Sequence, residues 1–125
     1  MKHDLNLLTT PLKALIQRQP ITLAPRSSIR SAAELMRAQG VSSLMLVEHG
    51  QLIGLVTDRD LRNRVVAQGF DIERPVADIA TLSPITASAD SPAFEALLLM
   101  TRHKVHHVPV MSGQRIVGMV TATDL

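Results

Sequence analysis

The chain contains no cysteine, no tryptophan and no tyrosine, and its only aromatics are Phe70 and Phe94. Without cysteine there can be no disulfide, no thiol nucleophile and no cysteine-ligated zinc. With two phenylalanines there is no platform on which single-stranded bases could stack. Charge of one sign is scarce as well. The formal net charge is +2, and the densest basic cluster, Arg59, Arg62 and Arg64, is diluted by Asp58 and Asp60. The sequence pI of 9.7 reflects a small excess of Arg and Lys rather than a concentrated basic face, so nucleic acid is not an expected partner. Apolar runs extend for only a handful of residues, so no membrane span is expected. The start, Met1-Lys2-His3-Asp4-Leu5-Asn6, lacks the apolar stretch of a secretory signal. Together these absences point to a cytoplasmic protein. Gly-x-Ser-x-Gly, the phosphate loop and the dinucleotide fingerprint are also missing, which removes the commonest enzyme signatures.

What is present is a duplication. Apolar residues make up 46% of the 125 positions, enough for the core of one domain. Displacing the chain so that Pro11 falls on Pro75 carries Leu61 onto Leu125 without a gap. Pro20-Ile21-Thr22 then meets Pro84-Ile85-Thr86, and Leu35-Met36 meets Leu99-Met100. Gly54-Leu55-Val56-Thr57 meets Gly118-Met119-Val120-Thr121, and Asp60-Leu61 meets Asp124-Leu125. A repeat of this length would bury little surface alone, so the two are expected to share one core.

Both repeats read alike. A short extended piece, Ile21 to Leu23, precedes a helix capped by Ser27 or Ser28 and lined by Ile29, Ala32, Ala33 and Met36. Gly40 ends it. Val41 to Val47 and Leu52 to Thr57 read as strands around a turn at Glu48 to Gln51, and a second helix runs from about Asp58 to Gln68. In the second repeat Ser91 is placed to cap, with Pro92 first in the helix. Ala93, Ala96, Leu97 and Met100 form its stripe, and Leu97 to Met100 reads as core. Val105 to Met111 and Arg115 to Thr121 are its paired strands, around Ser112-Gly113. The chain stops at Leu125, where the last helix should begin, which reads as a truncated final helix. The expected class is therefore α+β, two pseudo-symmetric β-α-β-β-α repeats. The expected organisation is a linker or helix over residues 1–19, one repeat over 20–74 and another over 75–125.

The most informative element is Gly-x-Val-Thr-x-x-Asp, present at Gly54 to Asp60 and again at Gly118 to Asp124. A Thr three residues before an acid at a helix start is capping chemistry, the hydroxyl and the carboxylate each taking a backbone amide. Its occurrence twice, each time between a strand and a helix, also describes a ligand seat. The glycine lets a flat group approach the strand. The threonine hydroxyl and first-turn amides suit phosphate oxygens. The aspartate is a bidentate acceptor that matches two adjacent ribose hydroxyls. Val41, Ile53, Val105 and Val117 can hold a base between them. Asp58 does not form a catalytic carboxylate pair with Asp60 in both halves, because Ala122 takes its place in the second.

Two such repeats resemble the cystathionine β-synthase (CBS) domain pair, or Bateman module. Thr57-Asp58-Arg59-Asp60-Leu61 and Val105-His106-His107-Val108-Pro109-Val110 are typical wordings of that family. Asp58 to Asp71 and Phe94 to Met100 more narrowly resemble CBS pairs of bacterial signalling proteins that also carry cyclic-nucleotide-binding and nucleotidyltransferase domains. The resemblance implies two clefts between the repeats, an adenosyl ligand (AMP, ADP, ATP or S-adenosylmethionine) and a flat homodimer. By motif position, one cleft would use Thr57 and Asp60 for phosphate and ribose, Ile53 against the base, and Thr86, Val105 and His106 from the other repeat. Arg59 would add charge there. The second cleft would use Thr121 and Asp124 with Thr22, Val41, Ser42 and Val117. His107 holds the place where the family often puts a basic residue, just before the apolar-Pro step. The first repeat has Ser43 there and Met45 in place of the proline, so the two clefts are not expected to bind equally. Should His107 meet phosphate, binding would strengthen as pH falls toward roughly 6.5.

Three functional classes follow. The first is a non-enzymatic regulatory module that senses an adenosyl nucleotide and controls attached domains. The second is a ligand-free dimerisation module in which the motif only caps helices. The third is a small metal-dependent enzyme using His103, His106 and His107. Against the third, no acid lies nearby in sequence, and adjacent strand residues point to opposite faces.

Overall fold

The structure is a computed structural model, and it describes residues 6–125. The elements are β1 (Thr22–Leu23), α1 (Ile29–Gln39), β2 (Ser43–Glu48), β3 (Gln51–Thr57), α2 (Asp58–Asp60), β4 (Thr81–Leu82), β5 (Ala87–Ser88), α3 (Ala93–His103), β6 (His107–Ser112) and β7 (Arg115–Thr121). The chain divides into two compact units. One holds residues 21–84; the other holds 85–125 together with the segment up to Pro20. Among the described residues no helix is long and apolar enough to cross a membrane.

In the unit of the first repeat the sheet order is β1-β2-β3-β4. β1 runs parallel to β2, and β2 to β4 are antiparallel. The β2–β3 hairpin turns through His49 and Gly50, both at positive φ, as a tight two-residue loop requires. Ser28 caps α1 by accepting the Ser31 N–H at 3.0 Å, and Gly40 closes it in the left-handed region. Ile29, Ala32 and Met36 of α1 pack with Leu44, Leu46, Val56, Val76 and Ile79.

The other unit repeats this plan with three strands, in the order β5-β6-β7. Its core gathers Ala93, Ala96 and Met100 of α3 with Val108, Val110, Val120 and Leu12. The buried apolar residues thus form two clusters rather than the single shared core that the size of one repeat suggested.

A reciprocal exchange of segments explains how such small units close. The 3-10 turn Leu12–Leu15 lies at the head of the first repeat in sequence but packs in the unit of the second. The Leu12 N–H donates to the Ser91 carbonyl (2.9 Å) and that of Lys13 to Ala89 (3.0 Å). The counterpart turn, Val76–Asp78, packs in the unit of the first repeat. There the Val76 N–H reaches Ser27 (2.7 Å) and that of Ala77 reaches Pro25 (3.1 Å). Residues 75–84, at the head of the second repeat in sequence, therefore complete the first unit. Residues 1–5 of the expected N-terminal linker or helix lie outside the described residues.

The same segments change how the helices start. Ser91 does not cap α3. Pro92 occupies the cap position, and the first orphan amides, Ala93 and Phe94, donate to Thr10 (2.7 Å) and Leu7 (2.9 Å). Leu97 and Leu98 are a second correction. They are exposed, because α3 turns Ala93, Ala96 and Met100 inward and the helical period carries 97 and 98 outside. The helix expected from Asp58 to Gln68 is present over Asp58 to Val66, but most of it is not α-helical. α2 gives way to a π-helical stretch, Leu61–Val66, and Gly69 is left-handed.

Candidate functional site

Each strand-to-helix junction is built around one acid. At the first, Asp60 Oδ2 accepts the Thr57 N–H at 2.9 Å and the Thr57 hydroxyl at 3.4 Å. Thr57 Oγ1 in turn accepts the Asp60 N–H at 3.4 Å, completing the capping box. At the second, Asp124 Oδ2 accepts the Thr121 N–H at 2.7 Å and the Thr121 hydroxyl at 3.1 Å. The Thr121 hydroxyl also lies 2.9 Å from that of Thr123. At both junctions the bonds from the threonine fall on Oδ2 of the aspartate.

Each junction is tied to the start of the preceding strand. The Asp58 N–H donates to the Ser42 carbonyl at 3.0 Å, and the Ala122 N–H to the His106 carbonyl at 2.9 Å. Ser43 pairs with Thr57 and His107 with Thr121 across the hairpins. Two of the three first-turn amides at the first junction, Asp58 and Asp60, are therefore already engaged within the protein.

The structure places the site residues as follows. Ile53, Thr57, Arg59 and Asp60 lie along β3 and α2, with Ser42 beside them through its carbonyl. Val41 packs against the core of the same unit, and Thr22 stands exposed on β1. In the other unit Val117, Thr121 and Asp124 follow β7, with His106 and His107 alongside. Val105 and Val117 pack against that core, and Thr86 is exposed just before β5. His103 and His106 are exposed and His107 is half-buried. Among the described residues no three His, Cys, Asp or Glu side chains gather to hold a metal.

The motif glycines do not leave an opening. An ideal Cβ on Gly54 would meet the Thr81 carbonyl oxygen at 3.0 Å and Leu82 at 3.2 Å, and one on Gly118 would meet Ile16 at 2.6 Å. The space that glycine frees is taken by neighbouring protein, not held open for a flat ligand.

Burial pushes the Asp60 carboxyl up from its ordinary pKa, against the lowering effect of the Thr57 hydrogen bonds and of the positive charges of Arg64 and Arg59. Arg64 carries no motif signal. Its one mark in the sequence is its position four residues after Asp60, the next turn of a helix.

Comparison with known proteins sets this geometry in context. The chain is 32% identical to the CBS domain-containing protein YhcV of Bacillus subtilis, over 91% of this chain and 81% of that protein. Other curated relatives that it matches are longer: the chain spans 23% of an inosine-5′-monophosphate dehydrogenase of Korarchaeum cryptofilum and 31% of an arabinose 5-phosphate isomerase of Francisella tularensis. A CBS domain protein of Pyrobaculum aerophilum, solved in complex with AMP, superposes with a TM-score of 0.87 at 29% identity, covering 93% of this chain and 90% of that one. A CBS domain pair solved with 5′-methylthioadenosine and S-adenosyl-L-methionine superposes at 0.84 with 30% identity, covering 93% and 92%. The CBS domain model matches residues 12–67 and 76–125, one match for each copy of the strand–helix–hairpin plan. The chain belongs to the CBS domain family, as a tandem pair.

Proposed function

We propose that this CBS pair is a regulatory module that binds an adenosyl ligand, AMP, ADP or ATP or else S-adenosylmethionine, and passes its binding state to attached domains. The observation that carries the reading is the duplicated Thr–Asp junction, in which Oδ2 of each aspartate takes the threonine amide and the carboxylate stands at a strand-to-helix turn, as an acceptor for ribose hydroxyls would. The bound AMP of one relative and the adenosyl compounds of another support the ligand class. In this reading the ligand contacts of the first unit are Thr57, Asp60, Ile53 and Arg59, with Thr22, Val41 and Ser42. Those of the other unit are Thr121, Asp124 and Val117, with Thr86, Val105, His106 and His107.

The module regulates rather than catalyses. A ligand that prefers one arrangement of the repeats by about 1–3 kcal/mol biases whatever the pair is joined to. In the parent protein we place it in the cytoplasm, as a homodimer, alongside cyclic-nucleotide-binding and nucleotidyltransferase domains. Thermal melting with AMP, ATP and S-adenosylmethionine tests the ligand class. A rise in Tm with at least one of them is expected, by linkage of binding to folding. No shift with any would remove the reading.

A second reading has its own observation. Thr57, Asp60, Thr121 and Asp124 satisfy one another's polar groups within their units, so the motif serves helix capping without any ligand. The module would then only dimerise.

A further inference from the structure

We propose that residues 17–19 are a strap poised to close on the outer edge of β7, held off it by the side chain of Ile16. The inference goes beyond the ligand reading and is tested on the chain without ligand.

The chain passes between its two units twice, after Pro20 and after Pro84. The residues before the second crossing are fastened to a sheet. Thr81 and Leu82 form β4, in register with Leu55 and Gly54 of β3. The Ser83 N–H adds a bond to the Ile53 carbonyl at 3.0 Å. In the duplication the counterparts of Thr81, Leu82 and Ser83 are Gln17, Arg18 and Gln19, and those of Ile53, Gly54 and Leu55 are Val117, Gly118 and Met119. There the ladder stops short. Residues 17–19 belong to no strand, and β7 is the edge of its three-stranded sheet.

One difference between the repeats accounts for this. The turns that lead in close alike: the Ile16 N–H donates to the Lys13 carbonyl at 3.3 Å, and the Ala80 N–H to the Ala77 carbonyl at 3.4 Å. The side chains at these two matched positions are not alike, and what each motif glycine faces follows from them. The atoms nearest an ideal Cβ on Gly54 are the Thr81 carbonyl oxygen and the Leu82 side chain, both of the paired strand. The three nearest to one on Gly118 all belong to the Ile16 side chain, with Cγ2 at 2.6 Å. A branched side chain stands where the first unit has a strand's backbone.

The edge behind Ile16 is suited to a fourth strand. Met119, the counterpart of Leu55, lies opposite Pro109 on β6, and proline has no N–H to give it. Gln17, Arg18 and Gln19 are polar or charged, as exposed edge strands commonly are. Closure sets a few ladder hydrogen bonds against the ordering of three residues, opposing contributions of similar size, so a small push decides between the states. Because residues 17–19 lead into β1 through Pro20 and Ile21, closing the strap fastens the first crossing as β4 fastens the second. Open, it leaves that crossing compliant.

The test is amide hydrogen exchange, followed by NMR, on the original chain, Ile16→Ala and Ala80→Ile, with circular dichroism as the folding control. Ile16→Ala withdraws the wedge, so the Gln19 and Met119 amides should exchange about tenfold more slowly than in the original chain. Ala80→Ile installs a wedge in the first unit, so the Ser83 and Leu55 amides should exchange about tenfold faster. Unchanged or faster exchange at Gln19 and Met119 in a folded Ile16→Ala chain would overturn the strap. Should that variant not fold, unchanged exchange at Ser83 in Ala80→Ile would overturn it instead. A Gln19 amide already as protected as Ser83 in the original chain would show the strap closed and contradict the wedge. The ligand reading is scored separately, by melting with adenosyl compounds.

Discussion

Gly118 and Ile16 are in van der Waals conflict the moment Gly118 carries a side chain: an ideal Cβ would stand 2.6 Å from Ile16 Cγ2 and 3.3 Å from its Cδ1. Glycine is required there because the N-terminal segment lies against β7. Gly118→Ala is expected to destabilise the chain by about 1–3 kcal/mol, as overpacking does. Ile16→Ala in the same chain should recover part of that loss. Urea denaturation of the two single variants and the double one measures the coupling; strict additivity would show that the two residues do not oppose each other.

Lys104 offers a change in the opposite direction. It closes α3 at φ 55°, where Gly40 closes α1 at φ 65°. A left-handed conformation costs a residue with a Cβ about 1 kcal/mol or more. Lys104→Gly should therefore stabilise the chain by about 0.5–1 kcal/mol after the entropy cost of glycine is deducted. The Tm from thermal unfolding reports it, and a fall would contradict the assignment.

Asp60 makes stability and binding depend on pH in a defined direction. Its pKa is raised in the folded chain, chiefly by burial. The native state then holds this proton more tightly than the unfolded state does, so this group's contribution to stability falls as pH rises through its native titration. Asp60→Asn cannot titrate, so its stability relative to the original chain should grow across that same rise. Binding runs the other way. A ribose hydroxyl donates best to the ionised carboxylate, so affinity should fall as pH drops through the Asp60 titration. That fall should begin at a higher pH than an ordinary aspartate would give. Calorimetric titration in a pH series checks this, with Asp60→Asn showing no such inflection.

Much of this organisation is legible in the residues themselves. Val56 and Val120, Ala32 and Ala96, and the Thr57–Asp60 and Thr121–Asp124 pairs all announce strands, helices and capping junctions by period and repetition. Leu12 and Val76 announce nothing comparable. Each heads its repeat in sequence and packs in the unit of the other, and no periodicity states which neighbour a segment will cover. Leu97 and Leu98 mislead for a related reason. In Ala96-Leu97-Leu98-Leu99-Met100 every position is apolar, so the helical period marks no outer face. The motif glycines mislead differently: the sequence shows where a side chain is missing but not that Ile16 or Leu82 fills the gap. Arg64 is invisible as a charge partner until the helix after Asp60 is known to continue.

The most direct measurement is calorimetric titration of AMP into the chain, into Asp60→Ala and into Asp124→Ala. Loss of a charge-assisted hydrogen bond to ribose should weaken binding about tenfold or more in at least one variant. Unchanged affinity in both would contradict the assignment of these aspartates to the sugar and leave them as helix caps alone.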